Sequence, residues 1–275
     1  SWCAGRNLST AIHEGKASWT FPIYPLYHDH IVSFTPNYLI PRIIMPGTLY
    51  LVSTPIGNLE DLTFRAIRIL RDVHFIAAEN PQVTKLLLDH YAIETPMTTY
   101  HQLNKEEKTP LILKRLQDGN HAALVCDAGT PVIADPGALL ISKALAAGIT
   151  VSSVPGPCAI MAALSSSGLP SDEFVFLGMF PQRLTARRRF AVTLDEETRT
   201  AILFISVKQL PTALELLYPI LGRRRIVAAN NLTTGNEAVS RGRVSELLER
   251  FSRNPLEGEV TLIIEGSRKK GTDGV

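Results

Sequence analysis

No apolar run in this 275-residue chain approaches the ~20 residues that a membrane-crossing helix requires, so no segment is a candidate span. Cysteine is scarce. Cys3, Cys126 and Cys158 show neither metal-ligand spacing nor a disulfide framework, which fits a reducing, cytoplasmic setting. The phosphate-cradling pattern Gly-x-x-x-x-Gly-Lys is missing, which argues against a nucleoside triphosphate as ligand. There is no internal repeat and no low-complexity tract. Neither sign of charge dominates: 28 Lys and Arg against 26 Asp and Glu leave a net +2, too little to announce nucleic acid by bulk charge. What remains, 45% hydrophobic and 20% charged, is the composition of an ordinary globular chain of one or two domains.

Residues 1–44 mix Trp2, Trp19, Phe21, Tyr24 and Tyr27 with prolines and show neither helical nor alternating period. They lack the basic head and long apolar centre of a secretory signal, and are expected to be a non-core extension ahead of Met45. From Gly47 onward, strands and helices alternate, as in a parallel α/β unit. The pattern predicts strands at Thr48–Val52, Phe75–Ala78, Met97–Tyr100, Ala122–Val125 and Thr150–Val154. Helices are expected at Leu62–Asp72 behind an Asp61 cap, at Thr84–Tyr91, at Lys105–Asp118, after Gly137 and at Cys158–Ser167. A second unit beginning near Ser171 has strands at Phe174–Gly178, Ala201–Ile205, Ile226–Asn230, Ala238–Arg241 and Glu259–Glu265, with helices at Leu210–Leu221 and Val244–Phe251. Some of these strands are close enough for hairpins, so a mixed sheet is expected. The expected boundaries are 45–168 for an N-terminal domain, 169–268 for a C-terminal one and 269–275 for a tail.

Three strand ends run into shaped loops: Ser53-Thr54-Pro55-Ile56-Gly57-Asn58, Cys126-Asp127-Ala128-Gly129-Thr130-Pro131-Val132-Ile133-Ala134-Asp135-Pro136-Gly137, and Pro155-Gly156-Pro157. Glycine admits a ligand close to the main chain, and proline fixes the path. Loops at the carboxyl ends of parallel strands are where α/β sheets hold ligands. Asp135-Pro136 alone also reads as a helix cap followed by a first-turn proline.

These loops, taken with Ala77-Ala78-Glu79, Gly168-Leu169-Pro170 and the closing Gly258–Gly266 stretch, resemble the tetrapyrrole-methylase superfamily from about Met45 to Gly266. Within it the chain is most similar to the branch that methylates a cytidine 2′-hydroxyl of small-subunit ribosomal RNA. The resemblance implies a two-domain α/β fold, with a parallel N-terminal sheet and a mixed C-terminal sheet enclosing a cleft. It also implies S-adenosyl-L-methionine as cofactor and a homodimer. Pro55, Ile56, Gly57, Asn58, Asp127, Ala128, Gly129, Thr130, Pro131, Pro155, Gly156 and Pro157 would hold the cofactor, with no metal.

A ribose hydroxyl is a poor acid, so a base or a charge-stabilising group should stand near it. Glu79 is the first candidate on the family template, and His101 the second. Basic clusters in the second half, Arg187, Arg188 and Arg189 with Arg223, Arg224 and Arg225, are candidates for contact with ribosomal RNA. The chain departs from the family where Glu79-Asn80-Pro81-Gln82 replaces Glu-Asp-Thr-Arg. It departs again at Ser206–Leu210, where Glu-Ser-Pro-His-Arg is usual, and at Asn230–Thr234, where Arg-Glu-Leu-Thr-Lys is usual. These departures keep two alternatives open: a same-fold methyltransferase with another acceptor, such as a tetrapyrrole or other RNA, and a catalytically silent cofactor- or RNA-binding relative.

Overall fold

The structure, a computed structural model, describes residues 45–221 and 224–267. The expectations for residues 1–44, for Arg223 and for the 269–275 tail lie outside these residues.

Five parallel strands form the first sheet: β1 (Thr48–Val52), β2 (Phe75–Ala78), β3 (Met97–Thr99), β4 (Ala122–Val125) and β5 (Thr150–Val154), in the order β3-β2-β4-β1-β5. β2 and β4 are buried at every position, which is why they read as unbroken apolar runs rather than alternating ones. Their side chains divide between two faces. Ile76, Ala78, Ala123 and Val125 pack under α1 (Phe64–Asp72) and α2 (Pro81–His90), contributing to one core with Ile69, Leu70, Leu87 and Leu88. Phe75, Ala77, Ala122 and Leu124 pack on the opposite face with Ile112 and Leu116 of α3 (Lys105–Gln117) and Leu140 and Ala144 of α4 (Ala138–Ala146).

The order of strands creates the site. The chain leaves β1 towards β2 and leaves β4 towards β5, so the loops after these two neighbouring strands depart in opposite directions. Such a switch point is where open α/β sheets place their ligands.

The second sheet is mixed. β6 (Phe174–Met179) runs parallel to β7 (Thr200–Ser206), whereas β8 (Arg225–Asn230), β9 (Ala238–Arg243) and β10 (Glu259–Ile264) pair antiparallel, in the order β6-β7-β10-β8-β9. One face packs under α6 (Leu184–Glu196), α7 (Leu210–Leu221) and α8 (Val244–Arg253). The other face, through Ile202, Val227, Ala229 and Ile263, meets α5 (Ala159–Ser167) by way of Ile160, Ala163 and Leu164. The small side chains of α5 thus serve close packing against the second sheet.

Four local expectations need correction. α1 starts at Phe64 and is capped by Thr63, whose hydroxyl accepts from the Ala66 amide at 3.1 Å; Asp61 instead closes a tight 3₁₀ turn, Leu59–Asp61. α2 starts at Pro81 rather than Thr84, because Asn80 caps it and proline suits the first helical turn. α4 is preceded by Gly137 at φ 146°, so Asp135 is not its cap. α6 was not expected at all. It buries only Ala191 and Leu194, too few positions to show a period.

Candidate active site

The three shaped loops interlock. Beyond the ends of β1 and β4, Thr54 and Gly129 exchange two backbone hydrogen bonds, Thr54 N–H to Gly129 O at 2.9 Å and Gly129 N–H to Thr54 O at 3.0 Å. The buried Thr54 hydroxyl donates to Cys126 O at 3.2 Å. Ser53 Oγ and Thr130 Oγ1 lie 3.0 Å apart, and Thr130 Oγ1 donates to Pro157 O at 3.1 Å, which draws in the third loop. Gly156 sits where a Cβ would stand 3.0 Å from Ser53 Cβ, and Ile56 lies 3.2 Å from the corresponding point on Gly129. The first loop also touches the second sheet's β8–β9 connection: a Cβ on Gly57 would fall 2.5 Å from Leu232 O. Ser53 opens the first shaped loop without having been singled out as a site residue, and the Leu232–Thr234 turn stood out in the sequence only as a departure from the family pattern.

The second loop is strained. Gly129 has φ 81°, and Val132 and Ala134 adopt φ 77° and 68° without being glycine. A left-handed conformation costs about 1–2 kcal/mol per non-glycine residue and is a genuine outlier for a β-branched one. Such strain concentrates where a backbone must present itself to a ligand.

Three carboxylates gather at the ends of β2 and β4. Burial raises Glu79 above the ordinary carboxylate range, and the charges of Asp135 and Asp127 push it further, partly offset by the Asp127 amide. Burial likewise raises Asp127, with the Asn80 amide opposing. Asp135 is raised first by burial and also by the charges of Asp127 and Glu259, against a hydrogen bond with the Cys126 thiol. The Cys126 side chain is buried at the base of this loop, within reach of Ala128 O at 3.3 Å and Gly129 O at 3.4 Å, and its thiol is held protonated. None of the three carboxylates has an ion-pair partner among the described residues. The described residues also hold no group of three or more His, Cys, Asp or Glu suited to a metal.

His101 follows β3, one place beyond Tyr100, whose amide donates to Ala78 O. The His101 Nδ1 accepts the Leu103 amide at 3.3 Å and its backbone N–H donates to Asn104, so the ring helps build its own turn. The arginine clusters divide as well. Arg187 donates to Pro181 O and lies over the Phe180 ring. Arg224 is half-buried and donates to three carbonyls, those of Glu265, Leu194 and Glu197, while Arg225 pairs with Glu265. Arg188 and Arg189 are exposed. Arginines adjacent in sequence are therefore put to different uses: some are bonded within the chain and others are left to solvent. At Asn230 the side chain is buried and donates to the Glu257 and Glu259 carbonyls, a structural use.

The sequence profile of the Tetrapyrrole (Corrin/Porphyrin) Methylases matches residues 48–248. The protein named Ribosomal RNA small subunit methyltransferase I from Escherichia coli O157:H7 is 42% identical over 230 residues, 82% of this chain and 80% of that one. Its namesake from Thermotoga maritima is 39% identical over 220 residues, 80% of this chain and 99% of that one. In fold, the chain is similar to uroporphyrin-III C-methyl transferase from Thermus thermophilus, a structure complexed with S-adenyl homocysteine. The TM-score is 0.55 at 20% identity, covering 80% of this chain and 97% of that one. With the profile spanning most of both sheets and the relatives most of the chain, the protein belongs to the tetrapyrrole methylase family and is a methyltransferase.

Proposed function

We propose that this enzyme transfers a methyl group from S-adenosyl-L-methionine to a cytidine ribose 2′-hydroxyl of small-subunit ribosomal RNA. The observation that carries the ribosomal substrate is the similarity, at about two residues in five over four fifths of the chain, to proteins named as ribosomal RNA small subunit methyltransferases, and the cytidine 2′-hydroxyl follows the family resemblance. We further propose that it works as a cytoplasmic homodimer on an assembled particle. Among the described residues, no helix is long and apolar enough to cross a membrane.

The residues present fit the cofactor. S-adenosyl-L-methionine carries a sulfonium and an ammonium, and the site offers Asp127 and Asp135, which have no cation of their own among the described residues and whose pKa values are raised by burial. The backbone of Asp127 to Pro131, bent by Gly129 and backed by Pro155-Gly156-Pro157, supplies donors and acceptors for the uncharged parts. When bound, the cofactor supplies an electrophilic methyl group. The chain's task is to hold the acceptor in line and to manage one proton. Glu79, half-buried and poised above the usual carboxylate range, is the group that would accept the proton of the hydroxyl. His101 would stand at the acceptor side as the second candidate. The test supplies purified protein and labelled cofactor to small subunits lacking the modification. Methyl incorporation on a cytidine ribose is expected; none from a folded, cofactor-binding sample would refute the ribosomal assignment.

A further inference from the structure

Among the described arginines of the second half, Arg187, Arg224, Arg225 and Arg241 contact groups within the chain, while Arg188 and Arg189 are exposed. Near the three loops, α1 offers a different surface. Its inner face is Ala66, Ile69 and Leu70, and its outer arc carries Phe64, Arg65, Arg68 and Arg71 with Asp72 as the one acid in that arc. Phe64 is 92% exposed, an aromatic ring that contributes nothing to the core. The three arginines have no ion-pair partner among the described residues; Arg71 donates to the Tyr91 carbonyl, which leaves its charge unneutralised. Glu60 and Asp61 lie just before the helix, and Glu60 is exposed.

This arc stands at the lip of the candidate site. Thr63, the cap immediately before Phe64, has its methyl 3.8 Å from the point where a Cβ on Gly156 would lie, and Ser53 is 3.0 Å from the same point. α1 therefore starts against the third loop while its outer arc faces solvent. An exposed ring beside guanidinium groups matches single-stranded RNA: the ring stacks on a base and the cations meet phosphates. A protein partner would call for a broader apolar centre than one ring among arginines.

We infer that the outer arc of α1, centred on Phe64 with Arg65 and Arg68, receives the nucleotides flanking the target, Phe64 stacking on a base and the arginines contacting the backbone. This rests on the RNA reading above. It adds a docking surface that neither the arginine runs nor the family resemblance pointed to.

The test uses the full chain, an RNA fragment spanning the methylated cytidine and small subunits lacking the modification. Phe64→Ala should weaken RNA binding by about five- to a hundredfold, one stacked base's worth, and Phe64→Trp should restore it. Arg65→Ser with Arg68→Ser should flatten the dependence of log affinity on log salt by about 0.7 per lost phosphate contact. Cofactor affinity and melting temperature should be unchanged in all three, because the altered side chains are exposed. If the wild-type protein methylates the subunits and the variants bind RNA with its affinity and salt slope, the docking surface is wrong while the ribosomal reading stands. If the wild type methylates no RNA, the ribosomal reading itself fails. A change in oligomeric state with unaltered RNA affinity would assign the arc to a second copy of the chain and overturn the inference.

Discussion

The two sheets treat charge in opposite ways. At the end of the first, Glu79, Asp127 and Asp135 crowd together with no ion-pair partner among the described residues, and burial raises all three. On the second, Arg224 points three of its N–H groups at main-chain carbonyls and Arg225 pairs with Glu265. A charge satisfied within the chain holds the fold; a charge left unsatisfied is held ready for a ligand. The same logic separates Arg187 from its exposed neighbours Arg188 and Arg189.

That contrast breaks most visibly at Glu79. Glu79→Gln should lower turnover by about 10²- to 10⁴-fold with cofactor and RNA binding retained, as measured by single-turnover methyl transfer beside titration calorimetry. Because its pKa is raised, the wild-type rate should fall with acidification already above pH 4.5, and the variant should lose that limb. Arg224→Met tests the other sheet. Leaving three carbonyls without their donor should cost about 2–4 kcal/mol, a drop in melting temperature of about 5–12 °C, with RNA affinity unaltered. A loss of RNA binding without a loss of stability would reverse the assignment of Arg224 to the fold.

Gly129→Val should sit between these two regions in effect. Valine would hold its backbone at φ 81° and press its side chain on Ile56, costing about 1–2 kcal/mol locally and weakening cofactor binding by about tenfold in calorimetry. Asp135→Asn should do the reverse to stability. A carboxylate whose folded pKa is raised contributes stability below its unfolded value and loses it as pH rises through the folded one. Removing that charge should therefore raise the melting temperature of the cofactor-free protein by about 1–2 °C at pH 7.5, with a smaller gain at pH 4.5. The least perturbing change is Arg188→Ser with Arg189→Ser. Melting should not move, and the salt slope of RNA binding should fall by about 0.7 per lost phosphate contact; an unchanged slope would remove these two residues from the RNA surface.

The parallel sheet was legible because Phe75–Ala78 and Ala122–Val125 are wholly buried and so appear as bare apolar runs. The loops were legible because glycine and proline mark the strand ends. What sequence could not show was which side chains would be consumed locally. Asn58 read as part of the cofactor site and Asn80 as a departure from the family's acid, but each caps the turn or helix that follows it, Asn58 through the Glu60 amide and Asn80 through that of Gln82. Asn80 also explains one departure from the family pattern: asparagine can accept that capping bond as aspartate would, and Pro81 suits the first turn. Asp135-Pro136 imitated a cap because the local pattern is the same, and only the position of Gly137 separates the two readings. Within the second basic run the described residues part company: Arg224 lies before β8 and turns inward, while Arg225 opens the strand and turns outward.

The pair of hydrogen bonds between Thr54 and Gly129 joins main chain to main chain, in both directions, between the same two residues. It uses no side-chain atom, but it needs an N–H at both positions and a residue that holds φ 81° at Gly129, and it is intolerant of a change in spacing. One inserted or deleted residue between Val52 and Thr54, or between Val125 and Gly129, moves donor and acceptor out of step together. Each loop is thus the other's ruler. Apart from Gly129, whose φ of 81° suits glycine, what this pair fixes is length.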